Sequence, residues 1–326
     1  MNRTPLRRAS LASVAVLALG LSACGGDNED TAAASGGGEG SSDSVSGEII
    51  ADGSSTVQPL TEAAGELYKQ EQPEVDVSVG TAGTGGGFEV FCKGQTDISN
   101  ASRPIEAEEE KICAKNGVEY TELQVATDAL TVVTSADNDF ITCLTTDELA
   151  TLWGPDAEGK ITTWDQVNPE FPAEPIELYG PGTDSGTFDY FTDEINGEEG
   201  VSRTDYNASE DDNTIVQGVS GSPNALGYFG YTYFEENSEA LKAVEIDSGD
   251  GCVAPSPEAA QDGSYTPLAR PLFIYVANKA ATEKPQVKGF VDFYAQQDDA
   301  IAEAAGFIQL NEEQRSELES AAETLG

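Results

Sequence analysis

The stretch Leu268-Ala269-Arg270-Pro271-Leu272-Phe273-Ile274-Tyr275-Val276-Ala277 decides the reading of the chain. Its apolar run, 272–276, has the character of a buried strand. A second run of that kind, Ala129-Leu130-Thr131-Val132-Val133-Thr134, lies far upstream and is strongly β-branched. Around these two runs, strand patterns alternate with helical ones. The first part of the chain predicts a strand at 48–51, a helix over 57–71, and an alternating strand at 75–79. A glycine-rich turn over 80–87 and a short helix over 88–93 follow. Next come a strand at 97–101, an acidic helix over 107–116 and a strand over 120–125. The middle part predicts helices over 147–153, 187–196 and 213–220, with strands at 176–179 and 225–228. Two helices, 285–296 and 311–324, close the chain. The aromatic run 228–234 is expected to serve core and hairpin packing.

Alternation of this kind implies an α/β fold with mainly parallel sheets. The two apolar runs are the expected crossings between two lobes. Lobe I would comprise 47–134 and 268–326, and lobe II 135–267. A ligand cleft would lie between them, at the carboxyl ends of the strands.

Composition agrees with a two-domain chain able to bury real cores: 326 residues, 38% apolar and 23% charged. The formal charge is −43. So negative a molecule is a poor partner for nucleic acid or anionic lipid. Any anion it binds must be held by local groups against the overall field. Residues 1–23 read as a signal peptide, with Arg3, Arg7 and Arg8 before a short apolar core. The run Leu21-Ser22-Ala23-Cys24 resembles a bacterial lipobox, which makes Cys24 the expected lipidated residue. Residues 24–46 form a flexible acidic linker of Gly, Ser, Ala, Asp and Glu. Export makes the four remaining cysteines candidates for two disulfides. Three connectivities are open; Cys92–Cys113 with Cys143–Cys252 keeps each pair within one lobe. A chain without histidine and without CxxC spacing offers no metal site and no Ser-His-Asp triad, so an enzyme is not expected and no cofactor is implied.

Three turns share one design. Gly53-Ser54-Ser55-Thr56, Gly83-Thr84-Gly85-Gly86-Gly87 and Gly182-Thr183-Asp184-Ser185-Gly186-Thr187 each follow a strand, carry hydroxyls and open a helix. Helix starts leave backbone N–H groups unpaired and carry partial positive charge. Glycine permits close approach, and hydroxyls add donors. Three such ends meeting at one point would hold a compact oxyanion without a cluster of lysines.

These motifs, together with Asp97-Ile98-Ser99-Asn100-Ala101-Ser102-Arg103-Pro104, resemble the PstS family of periplasmic or lipid-anchored phosphate-binding proteins, from about residue 47 to the end. The resemblance implies a type-II periplasmic-binding-protein fold with hinge closure over inorganic phosphate. It also implies delivery to the membrane permease of an ABC importer, with attachment to the outer face of the cell membrane through the N-terminal lipid only. Carried over by position, it assigns the ligand to Ser55, Thr56, Thr84, Ser102, Ser185, Gly186 and Thr187. Two positions depart from the family pattern: Pro181 and Gly182 replace an arginine, and Ser102-Arg103 stands where an aspartate is common. Arg103 is the expected substitute guanidinium, since its planar fork can grip two oxygens. Asp184 would orient Arg103 or accept the phosphate proton, with Asp97 as a further acceptor. That acceptor separates phosphate from sulfate, which carries no proton near neutral pH. The alternatives are another oxyanion, sulfate or molybdate, or a surface adhesion protein of the same fold.

Overall fold

The sequence reading ends one strand at 125 and begins the next at 129, with Thr127 and Asp128 between them. The computed structural model, which describes residues 45–183 and 185–325, instead carries one strand of 16 residues, Tyr120–Ser135, straight through them. The reason is pairing. Asp128 stands in register opposite Arg270, and Thr127 opposite Pro271, of the strand Ala269–Ala277. The Arg270 guanidinium compensates the carboxylate, and the Thr127 backbone exchanges hydrogen bonds with Ile308. The signal peptide, Cys24 and most of the linker lie outside the described residues, as does Asp184.

The chain opens with β1 (Gly47–Gly53), α1 (Gln58–Glu71), β2 (Val75–Val79), α2 (Gly83–Phe91), β3 (Ile98–Ala101) and α3 (Ala107–Asn116). The long strand is β4 (Tyr120–Ser135), followed by β5 (Cys143–Thr145), α4 (Thr146–Trp153), β6 (Glu177–Gly180) and α5 (Gly186–Asn196). Next come β7 (Asn207–Ala208), α6 (Asp212–Ser220), β8 (Ala225–Gly230), α7 (Tyr231–Glu236), β9 (Leu241–Ala243), β10 (Glu245–Asp247), β11 (Cys252–Val253) and α8 (Pro257–Gln261). The chain returns through β12 (Ala269–Ala277) and ends on α9 (Asn278–Glu283), α10 (Pro285–Gln296), α11 (Asp298–Ala305) and α12 (Glu312–Glu323).

The main sheet runs β2-β1-β3-β12-β4-β8-β6-β7, with β9 added on β4. Its flanks are parallel, β1 with β2 and β3 on one side and β6 with β7 and β8 on the other. Its centre is antiparallel, because β12 brings the chain back against both β3 and β4. The sheet is therefore mixed rather than mainly parallel. Two large cores flank this centre. β4 gives Leu123, Val125 and Ala126 to the first, with Leu60, Phe88 and Phe290. It gives Ala129, Leu130 and Val132 to the second, with Trp153, Trp164, Phe191 and Tyr228. The core thus changes hands at Thr127-Asp128, slightly before the apolar run of the sequence.

Two further expectations change. The glycine-rich segment 83–87 is the first half of α2 rather than a loop, and the aromatic run continues from β8 into a helix, α7, rather than a hairpin. The four cysteines form two disulfides: Cys92–Cys113 ties the end of α2 to α3, and Cys143–Cys252 ties β5 to β11.

Candidate functional site

The first turn is fixed from below by β3. Ser54 N donates to Asn100 O at 2.9 Å, and Gln58 N donates to Ser54 O at 3.1 Å. Gly53 has a φ of +137°, and a side chain there would overlap the Asn100 carbonyl, so only glycine fits. Ser55 and Thr56 are left at the head of α1. The second turn is the head of α2, where Thr84 Oγ1 accepts from Ser102 N at 3.3 Å and lies 3.1 Å from Ser102 Oγ. In the third, Ser185 caps α5 by accepting from Thr187 N at 3.2 Å, and Gly186 is the first helical residue. A Cβ on Gly186 would lie 2.8 Å from Thr56 Oγ1 and 3.3 Å from Ser55 Oγ. The heads of α1 and α5 are thus in contact.

A cavity of about 500 Å³ opens where these turns meet. Ser55, Thr56, Thr84, Ser102, Arg103 and Gly186 all line it. Ser185 does not, since its hydroxyl serves the cap, and Thr187 faces a second cavity. Arg103 reaches the wall, but its fork is already engaged: Nη1 and Nη2 each donate to a Glu109 oxygen at 2.9 Å, and Nε faces Glu106. Asp97 is absent from the lining. Lys284 donates to both of its oxygens, at 2.7 and 2.9 Å, and Ile50 N donates to Oδ2.

The guanidinium that sequence reasoning missed is Arg270. It lines the cavity from the start of β12, and its Nη2 donates to Thr56 Oγ1 at 2.9 Å. Its Nε faces Asp128 Oδ2 at 3.4 Å, and its Cζ lies 3.5 Å from the centre of the Tyr190 ring. Tyr190 is held in turn by donating to Pro267 O at 2.6 Å. One signal was available: an arginine at the mouth of an apolar run is costly to bury and needs a reason. The acids of α5, Asp189, Asp193 and Glu194, were also missed, together with Glu199. Asp189 and Asp193, at i and i+4, share one helix face, with Glu194 at its edge. Burial pushes Asp189 upward, as does Glu199, while Arg270 pulls it down. Burial and Asp193 push Glu194 upward against the same Arg270.

Chemically the cavity offers neutral donors from three helix heads, one stacked guanidinium, and carboxyls whose affinity for protons is raised. That set suits a small oxyanion that itself carries a proton. The second cavity, about 750 Å³, has Asp128, Asp212, Glu235, Glu236 and Glu303 in its wall and no Lys or Arg among the described residues, so it is unsuited to an anion.

Residues 38–298 match the PBP superfamily domain. The chain is 47% identical over 300 residues to the protein SphX of Synechocystis sp., covering 92% of this chain and 84% of that one. It is 40% identical over 289 residues to the phosphate-binding protein PstS of Staphylococcus saprophyticus, covering 88% of each. Among solved structures it resembles the crystal structure of a possible phosphate binding protein from Planctomyces limnophilus, with 42% identity and a TM-score of 0.81 over 86% of this chain and 99% of that one. The α/β frame with its central cavity is accordingly a periplasmic-binding-protein fold, and the chain belongs to the PstS family of phosphate-binding proteins within the PBP superfamily.

Proposed function

We propose that this chain captures inorganic phosphate outside the cell and hands it to the permease of an ABC phosphate importer. The observation that carries the reading is the meeting of Ser55, Thr56, Thr84, Ser102 and Gly186 around one cavity beside Arg270. Helix-head N–H groups and hydroxyls can donate to the ligand's oxygens, and they add no positive charge to the protein. The α5 carboxyls can accept the phosphate O–H; sulfate has none to give and meets them as repulsion. The names of the relatives point the same way.

In this reading residues 47–134 with 268–326 form one lobe and residues 135–267 the other, and β4 and β12 are the hinge crossings. The separate cores on either side of Thr127-Asp128 support two lobes, with Ala129, Leu130 and Val132 packed into the second. The chain acts as a binding protein rather than an enzyme, exported by its first 23 residues and held at the membrane by lipid on Cys24.

Titration calorimetry with phosphate and with sulfate at pH 7.5 tests the proposal. Phosphate should bind tightly and sulfate weakly or not at all. Equal affinity for the two, or no heat from phosphate, overturns it.

A further inference from the structure

We infer that Arg270 is the guanidinium that engages the anion, and that Tyr190 is the positioning residue that aims it. The inference rests on the oxyanion reading of the cavity and goes beyond it, because the arginine comes from a crossing strand rather than from any of the three turns. Among the described residues two guanidinium groups reach the cavity. Arg103 spends its fork on Glu109, a bidentate pair of ideal geometry, and must give up that pair to take an anion. Among the described residues Arg270 has no such bidentate commitment. Its Nε contact with Asp128 is long at 3.4 Å, and its one short hydrogen bond goes to a neutral hydroxyl, Thr56.

Three contacts fix its direction. The Tyr190 ring supports the guanidinium with its centre 3.5 Å from Cζ, and the remaining N–H groups, those of Nη1 above all, are left to point at a ligand. Asp128, nearly fully buried, supplies a counter-charge from the facing strand. Thr56 Oγ1 accepts from Nη2, so the Thr56 hydroxyl proton is turned elsewhere. Thr56 lines the cavity itself, and the same contact therefore orients a second donor toward the anion. Arg270 touches the head of α1 through Thr56 and the face of α5 through Tyr190. An anion bound to it is gripped from both sides of the cleft at once.

The test is phosphate calorimetry on Arg270→Lys, Arg270→Gln and Arg103→Gln in the full chain, with thermal melts in phosphate-free buffer as the check on folding. Loss of two charge-assisted hydrogen bonds should weaken Arg270→Gln by at least ~100-fold. Arg270→Lys keeps the charge without the fork or the stack and should fall by at least ~10-fold. Arg103→Gln should change affinity less than either. Tyr190→Phe keeps the ring and should bind as the native protein does, while Tyr190→Leu, which also thins the second core and should melt lower, should bind more weakly than Tyr190→Phe at a temperature where both are folded. If Arg270→Gln fails to fold, the lysine variant decides. Native affinity in the folded arginine variants, or a larger loss in Arg103→Gln, overturns the inference. Failure of the unsubstituted chain to bind phosphate overturns the oxyanion reading instead, and the two outcomes are distinct.

Discussion

A single methyl group at Gly186 separates folding from binding. Gly186 is the first residue of α5, and its ideal Cβ would lie 2.8 Å from Thr56 Oγ1, 3.2 Å from Thr56 N and 3.3 Å from Ser55 Oγ. Ordinary contact begins near 3.4 Å, so in Gly186→Ala the heads of α1 and α5 must part by about 0.6 Å. An anion held by donors on both sides cannot follow both. It loses about one charge-assisted hydrogen bond, about 1.5–3 kcal/mol, which is roughly a tenfold to 150-fold rise in Kd. Alanine's helix preference, up to about 1 kcal/mol in a helix interior, offsets only part of an overpacking cost of about 1–3 kcal/mol, so the phosphate-free protein should fold and melt slightly below the parent. Calorimetry and a melt on the same sample read both numbers. Native affinity in Gly186→Ala would refute the claim that the two helix heads grip one ligand.

Two other expectations concern stability. Burial, with help from Asp211 and Glu210, pushes Asp212 up to about 6. A carboxyl whose folded value is raised disfavours the folded state once it ionises, so stability falls as pH rises from about 4 through about 6. Asp212→Asn should therefore stabilise the protein by about 1 kcal/mol at pH 7.5 and leave it unchanged at pH 3.5; a gain equal at both values would refute this. The disulfides should differ in weight. Cys143–Cys252 spans 109 residues and Cys92–Cys113 spans 21. Loop-closure entropy assigns about 4–5 kcal/mol to the first and about 3 to the second. In urea, Cys143→Ser with Cys252→Ser should lose more stability than the matching pair in the first core.

How much of this was legible in the sequence depends on whether a residue's partner was local. Hydroxyls at helix heads announce themselves within a few positions, so the three turns could be picked out locally, and the resemblance to the PstS family implied Ser55, Thr56, Thr84 and Gly186 within them. Arg270 could not, because the groups that explain it, Asp128, Tyr190 and Thr56, lie 80 to 214 residues away. The same blindness split β4. Asp128 reads as a break until its cross-strand partner is known. Arg103 shows the converse, a local partner that the motif reading passed over. Its motif neighbours suggested a ligand, while Glu109, six residues on at the start of α3, holds its fork through both oxygens. The glycine run 83–87 reads as a turn, since glycine weakens helices. Packing overrides propensity there: a Cβ on Gly87 would press on Gly53 Cα, so the helix needs glycine to reach β1.

A chain of charge −43 that captures an anion carries a conflict which kinetics should reveal. At long range the protein repels phosphate, and more so because the cavity rim carries Asp193 and Glu199. At short range the ligand meets N–H groups, hydroxyls and Arg270, whose own charge is partly cancelled by Asp128. Salt acts on these two ranges unequally. The screening length is about 8 Å at physiological ionic strength and about 30 Å at 0.01 M. Raising salt from 0.01 to 0.15 M should remove most of the repulsion an approaching anion feels and leave the direct contacts nearly untouched. The association rate should therefore rise with salt, opposite to a basic anion binder, while the dissociation rate holds steady. Stopped-flow mixing with phosphate at fixed pH reads both. An association rate that falls with added salt would mean that Arg270 and Arg103 dominate the field at the cleft mouth, and the account of neutral donors overcoming an acidic molecule would fail.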